Sequence, residues 1–361
     1  MASEHLTATD LTAPKILLVL TRYLGDTLLM TGVLRSLRSA YPKASITALV
    51  AHKGRFALEG NGDLDELLVV EDKFSLSGMM KLLQSHFRRY DWVINDKASG
   101  KSEIYAFLFG KLGSKTSWQA RVLNQNMLGT WRSKAPFNHH CVLDDDDREH
   151  RMVRSMKLLE PLPVKVQAQI VVPSIPVALS LPMHYLVLHV PASNDLKQWS
   201  ISNWRQLVDG LLHSGISLVL TGAPSERDKR LVSEVMNGLE DDPQVIDLSG
   251  KLSIAEMATV VKQSAGYIGP DGGTTHLASA FDIPIFCIVS VANAVMWGPW
   301  PYQMSIEDYQ REPYEADAEQ QVRGNVSIFQ AHPDATYALQ RNIHPQNVLS
   351  HVLAVIERNE S

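Results

Sequence analysis

Residues 265–290 read AGYIGPDGGTTHLASAFDIPIFCIVS, and this stretch decides the fold. An apolar run at Ala265–Ile268 ends in a glycine-rich turn. Helical spacing of apolar residues follows over Thr274–Ala280, and a second apolar run fills Pro284–Val289. Strand, turn, helix and strand in so short a span make a βαβ unit, and strands apolar throughout are those covered on both faces. The first N–H groups of a helix lack intrahelical acceptors, so the turn at Gly272, Gly273 and Thr274 is suited to phosphate oxygens. Asp271 would repel bare phosphate and is better placed to hold a sugar hydroxyl or the turn itself. His276 either donates to phosphate or is a structural histidine.

Outward from this unit the same alternation continues. Tyr185–Val190, Ser217–Leu220 and Val245–Asp247 read as strands, with helices predicted over Ser202–Ser214, Ser225–Leu239 and Ile254–Gln263. A first set precedes it: strands at Lys15–Leu20, Ser45–Val50, Leu67–Val70 and Asp91–Asn95, with helices over Asp26–Ala40 and Met79–Tyr90. Residues 97–142 are less periodic, and a charged helix is expected over 144–160, starting at the acidic run DDDD. Prolines 161, 163, 173, 176 and 182 mark a hinge. The expectation is an α/β chain of two Rossmann-like βαβ domains, 1–175 and 176–344, facing each other across a cleft. A final helix, 345–361, is expected to pack back toward the N-terminal domain. Functional residues belong where strand C-termini meet helix N-termini.

Composition narrows the classes. The 361 residues are 45% hydrophobic, enough for two ordinary cores. A formal net charge of −5 gives no global basic footprint, so nucleic acid is not an expected partner. Two cysteines, Cys141 and Cys287, lie too far apart for a CxxC site or a disulfide framework, which suits a reducing compartment. The polar leader and the short run Ile16–Leu20 give neither signal peptide nor membrane span, so a cytoplasmic location is expected.

Three further loops carry chemistry. In RYLGDT, Arg22 to Thr27, Gly25 permits a tight strand-to-helix turn; Asp26 is either an N-cap or a carboxylate placed to take a proton from an acceptor hydroxyl. In PASNDLKQWS, Ser193, Asn194 and Lys197 follow a strand and suit diphosphate oxygens, although Lys197 also reads as a solvated lysine and Trp199 as a core anchor. In TGAPSERD, Glu226 opens a helix, where it accepts from ribose hydroxyls or simply complements the helix dipole. NAVMWGPW, residues 293–300, reads as an exposed aromatic loop that closes over a base or sugar or plugs the domain edge.

Taken in order, RYLGDTLLMTGVLRSLR, PASNDLKQWSISNWRQLVDGL, TGAPSERD and GPDGGTTHLASAFDIPIFCIVS resemble the lipopolysaccharide heptosyltransferases, glycosyltransferase family 9. The first block is nearer the heptosyltransferase III-like branch. This resemblance implies the GT-B fold, with acceptor bound by the N-terminal domain and nucleotide sugar by the C-terminal one. It implies inverting transfer of heptose from ADP-heptose to a lipopolysaccharide core, with no catalytic metal and no cofactor beyond the co-substrate. By the same resemblance Asp26 matches the catalytic base, Lys197 the lysine on the donor phosphates and Glu226 the ribose-facing acid. Asp271 matches the acid near the donor heptose, and Gly272, Gly273, Thr274 and His276 the donor-side turn. Three positions depart from the pattern. Leu20 stands where a basic residue is common, with Arg22 covering that acceptor contact; Gly32 replaces a proline, and Gly272 a serine or threonine.

Arg88, Arg89, Lys97, Lys101, Lys111, Lys115, Arg121 and Arg132 give the later N-terminal domain a basic bias. Such a face meets an anionic glycolipid acceptor favourably, with Lys97 and Lys101 as acceptor contacts and Phe107, Phe109 and Trp118 as core or lipid-touching residues. Peripheral contact with the cytoplasmic face of the inner membrane is the corresponding expectation. A UDP-sugar transferase and a non-catalytic carbohydrate-binding protein of the same fold remain as alternatives. A Rossmann oxidoreductase does not, because RYLGDT lacks the Gly-x-Gly-x-x-Gly turn.

Overall fold

The structure is a computed structural model that describes residues 13–71, 76–96, 100–111, 117–123, 139–144, 149–290, 293–331 and 343–360. At 76, 100, 117–123, 139–144 and 360 it describes the backbone alone. The chain divides into two compact units, Met1–Pro173 and Ser174–Ser361.

The first unit opens with β1 (Lys15–Leu20), α1 (Leu24–Leu29) and α2 (Thr31–Ala40), then β2 (Ser45–Ala51) and β3 (Glu66–Val70). It continues through α3 (Leu76–His86), β4 (Trp92–Asn95), α4 (Gly100–Phe109), β5 (Ser117–Leu123), β6 (His139–Asp144) and α5 (Arg151–Met156). Its six strands are parallel in the order β3-β2-β1-β4-β5-β6. From β1 the chain first winds one way and later the other, so β1 and β4 flank the point where strand order reverses.

The second unit runs β7 (Tyr185–His189), α6 (Ile201–His213), β8 (Ser217–Thr221), α7 (Glu226–Met236), β9 (Val245–Asp247) and α8 (Ile254–Lys262). Next come β10 (Gly266–Pro270), α9 (Gly273–Ala278), β11 (Ile285–Val289), α10 (Ala294–Trp297) and α11 (Ile306–Arg311). The hairpin β12 (Gln320–Arg323) and β13 (Val326–Gln330) precedes the closing helix α12 (Pro345–Glu360). The sheet order is β12-β13-β11-β10-β7-β8-β9, parallel except for β12 on β13. Here the reversal lies between β7 and β10. Both strands are buried almost along their whole length, which explains their uninterrupted apolar sequences.

Several expectations change. The helix predicted over Asp26–Ala40 breaks at Met30, where the Thr31 hydroxyl donates to Leu28 O at 2.6 Å and competes with the helix ladder. The charged helix expected from Asp144 is displaced, because residues 139–144 pair with β5 as a parallel strand and the helix starts only at Arg151. Residues 145–148 lie outside the described residues. His150 caps α5, its Nδ1 accepting from Met152 N at 3.0 Å. The less periodic stretch contains α4, β5 and β6, and the hairpin β12–β13, which turns on Gly324 at φ +55°, was not predicted.

The C-terminal helix contributes to the core of the second unit. Val348, Val352 and Ile356 of α12 recur at helical spacing and enter the second unit's core beside Trp204, Leu207 and Leu211 of α6. A Cβ at Gly210 would lie 2.3 Å from Leu349 Cδ2, so this glycine allows α6 and α12 to meet closely. Among the described residues no helix is long and apolar enough to cross a membrane.

Gly32, a departure noted in the sequence, has a packing reason. Residues 167–171 run along α2, with Gln167 N donating to Ser36 Oγ at 2.8 Å and Val171 N to Thr31 Oγ1 at 2.9 Å. A Cβ at Gly32 would stand 2.8 Å from both Gln167 O and Gln169 O. Gly32→Ala is therefore expected to destabilise the chain by about 1–3 kcal/mol. Gly62→Ala, where nothing lies within 4 Å, is expected to leave stability unchanged or slightly raised. Urea denaturation midpoints of the two variants check the contrast.

Candidate active site

In the first unit the site is built on the carboxyl ends of β1 and β4. The chain turns sharply after β1, with Arg22 N donating to Leu20 O at 2.9 Å, and α1 begins at Leu24. Gly25 lies inside α1 without a positive φ, so the turn does not need its freedom. The close approach is made at Gly54 instead, where a Cβ would meet Thr27 Oγ1 at 2.6 Å and Arg22 O at 2.8 Å. Tyr23 occupies the N-cap position without a side-chain bond, and Asp26 stands in the first turn. Its carboxylate accepts from Arg22 Nη1 at 2.9 Å.

Arg22 is shared. Its Nε lies 3.1 Å from Asp96 Oδ2, just beyond the end of β4, and the other oxygen of Asp96 takes the Arg151 guanidinium. Asp96 and Arg151 are buried, while Asp26 keeps some access to solvent. Asp26, Arg22, Asp96 and Arg151 thus alternate in charge across three elements. Burial would lower the Arg22 pKa, but Asp96 and then Asp26 outweigh it and raise it above its usual value. Arg22 therefore stays cationic beside Asp26.

The second unit's site stands on the carboxyl ends of β7, β8 and β10. Lys197 Nζ, in the loop after β7, donates to Asp271 Oδ2, in the turn after β10. Asp271 is buried and Lys197 partly exposed. The loop is shaped by its own side chains. Asn194 Oδ1 accepts from Lys197 N at 3.1 Å, and the Gln198 amide receives Ala192 N at 2.8 Å and donates to Val190 O at 3.0 Å. Trp199 is fully buried against Trp204 and donates to Ile343 O at 3.2 Å, so it is the core anchor.

The turn before α9 rests on a hydroxyl cluster. Tyr267 OH donates to Thr274 Oγ1 at 2.9 Å and lies 3.2 Å from Thr275 Oγ1, which donates to Pro270 O at 2.6 Å. Gly269 leaves room for that phenol, since a Cβ there would come within 2.4 Å of it. Burial pushes the Tyr267 and Cys287 pKa values up, and the Asp271 charge adds to the effect at Cys287. Gly272 is extended, and a Cβ there would meet nothing nearer than Pro270 O at 3.9 Å. His276 is buried.

Some candidate residues stand apart. The Glu226 side chain is 93% exposed and pairs with Lys229 at 3.3 Å, a surface pair of small value. Its neighbour Arg227, which sequence reasoning missed, reaches Ala192 O at 2.9 Å and Asp195 Oδ1 at 2.7 Å, tying α7 to the Lys197 loop. Ser193 and Asn194 are exposed on that loop. Lys101 Nζ donates to Glu71 O, and Lys97 lies outside the described residues. Phe107 is exposed and Phe109 buried, while the Trp118 side chain lies outside the described residues. Segment 293–300 is not the exposed loop expected: Trp300 is fully buried with its ring 4.7 Å from that of Tyr309.

The sequence model of Glycosyltransferase family 9 (heptosyltransferase) matches residues 80–326. Lipopolysaccharide heptosyltransferase 3 of Escherichia coli (strain K12) is 26% identical over 318 residues, spanning 81% of this chain and 88% of that one. A family 9 glycosyl transferase from Veillonella parvula DSM 2008 superposes with a TM-score of 0.73 at 17% identity, covering 96% of this chain and 97% of that one. The E. coli ADP-heptose lps heptosyltransferase II gives a TM-score of 0.71 at 19% identity, over 96% and 100% of the two chains. These superpositions establish the two-domain GT-B-like α/β fold.

His189, at the end of β7, has its Nδ1 3.0 Å from Thr221 Oγ1. Burial lowers its pKa to about 4, against a smaller opposing effect of Asp228. The unfolded chain takes up this proton near pH 6.5, whereas the folded chain refuses it until about pH 4. The contribution is complete above about pH 6.5 and is lost as pH falls toward 4, by at most about 3 kcal/mol. His189→Gln is expected to flatten this part of the acid limb when melting temperatures of wild type and variant are compared across pH.

Proposed function

The chain belongs to glycosyltransferase family 9, and on that premise we propose that it moves heptose from ADP-heptose to a lipopolysaccharide core acceptor. Family membership makes it a glycosyltransferase that uses a nucleotide-sugar donor. The finer reading is an inverting, metal-independent displacement carried out in the cytoplasm at a lipid-borne, anionic acceptor. Its main support is the Lys197–Asp271 pair at the strand-order reversal of the second unit. A cation for the leaving diphosphate is held there beside a carboxylate for the donor sugar.

The proposed roles follow from charge and position. Asp26 takes the proton of the acceptor hydroxyl as that oxygen attacks the anomeric carbon; the bond from that carbon to the diphosphate oxygen breaks, and ADP departs. Lys197 turns from Asp271 toward the charge growing on the leaving oxygen, and the N–H groups at Gly272, Gly273 and Thr274 supplement it. Asp271, released from the lysine, accepts from heptose hydroxyls, while His276 supports the donor-side turn. Arg22 acts on Asp26, holding the carboxylate in one orientation, and so is tied to the base before it can serve an acceptor. Ser193 and Asn194 line the donor side. Glu226 has the exposure to meet a ribose but must leave Lys229 to do so.

Asp26→Asn keeps the size and removes the base. With ADP-heptose and a heptose-terminated lipid acceptor, kcat is expected to fall roughly 10²–10⁴-fold while the donor KM stays within a few-fold. Measurement of ADP release checks this, and unchanged turnover would remove Asp26 from the mechanism.

A further inference from the structure

The outer faces of α3 and α4 expose four large apolar side chains, Met80, Phe87, Ile104 and Phe107, each between 41% and 56% accessible. On α4, Lys101, Ile104 and Phe107 recur at three-residue spacing along one stripe, and Lys111 follows two residues beyond the helix end. The opposite side of α4, with Tyr105, Ala106 and Phe109, is buried in the first unit's core. Met80 is on α3 and Phe87 stands just past its last residue, while Met79 faces the core.

Arg88 joins the two helices. Its guanidinium lies 5.4 Å from the centre of the Phe87 ring and 4.7 Å from that of Phe107. It donates to Phe107 O at 2.5 Å and Gly110 O at 2.9 Å. These bonds hold Arg88 at φ +51°, a conformation uncommon for a side chain with a Cβ. The two phenyl rings are therefore presented as one fixed platform.

We propose that this platform is a docking surface for an anionic lipid bilayer. Contiguous exposed apolar side chains on a folded chain mark an interaction surface. Charge selects the partner. Among the described residues, Lys81, Arg88, Arg89, Lys101 and Lys111 belong to this region, against the exposed Glu71, whose carbonyl accepts from Lys101, the buried Glu103, and Asp91, which answers Lys111 at 2.6 Å. Among the described residues, α3 and α4 thus combine exposed apolar rings with nearby cations, and the one carboxylate on either helix, Glu103, is buried. That combination places rings among acyl chains and ammonium groups among phosphates. The inference deepens the reading of a lipid-borne acceptor, because it says which side of the first unit meets the bilayer.

The test uses the full chain with vesicles of phosphatidylcholine, with and without about 30% phosphatidylglycerol, separated by flotation at low and high salt. Wild type is expected to float with the anionic vesicles at low salt and to be released by salt. Phe87→Ser with Phe107→Ser is expected to bind roughly tenfold more weakly. An unchanged melting temperature and ADP affinity would establish that the double variant is folded. Flotation of the double variant equal to wild type, or failure of wild type to float at low salt, overturns the proposal. So does concentration-dependent dimerisation lost in the double variant without any vesicle binding. Loss of vesicle binding alone leaves the heptosyltransferase reading standing, whereas loss of ADP binding alone strikes that reading and not this surface.

Discussion

Each sheet reverses its strand order once, between β1 and β4 in the first unit and between β7 and β10 in the second, and the rest of the site depends on that constraint. At a reversal the connections leave the two neighbouring strands in opposite directions, opening a crevice at their carboxyl ends. Both crevices are closed by the same device. A cation from the loop after the first strand meets an aspartate at the end of the strand across the reversal: Arg22 with Asp96, and Lys197 with Asp271. The reactive candidates are thus placed by topology before any local motif acts.

The two devices differ in what they leave available. Asp96 is buried with a second cation, Arg151, on its other oxygen, so the first pair is a fixed support, and Asp26 is the more accessible carboxylate beside it, as the proposed base requires. Replacing one partner of such a buried pair would leave an uncompensated charge, which is costly. The Lys197 ammonium is partly exposed, and its loop is held by Asn194, Gln198 and Arg227 through bonds that do not involve the ammonium. It can change partner without the loop unfolding. A diphosphate, with more charge than one carboxylate, is the kind of ligand that would draw it away.

How much of this was legible follows from how local each signal is. β1, β7, β10 and β11 were read within one or two residues, because strands covered on both faces leave long apolar runs. Asp26, Lys197 and Asp271 were singled out because each lies in the loop or turn that follows such a run. Asp96 was invisible as a partner, since it meets Arg22 only once β4 is laid beside β1. Arg227 was hidden behind Glu226, and only the fold shows that the arginine is tied inward and the glutamate outward. The break at Met30 came from a threonine opening α2 and bonding back to α1, and the close approach of α12 from a glycine on α6, neither of which alters the hydrophobic period. Gly32 had the opposite history: a departure from a family pattern in the sequence, it became a packing requirement once residues 167–171 were laid on it.

In the proposed reaction Lys197, released from Asp271, grips an adenosine diphosphate. Calorimetric titration of wild type and Lys197→Ala with ADP and with UDP tests it most directly. Wild type is expected to prefer ADP and the variant to bind it at least about tenfold more weakly, a loss of about 1.4 kcal/mol or more, because the diphosphate then faces Asp271 alone. Preference for UDP, or equal ADP affinity in the two proteins, would contradict it.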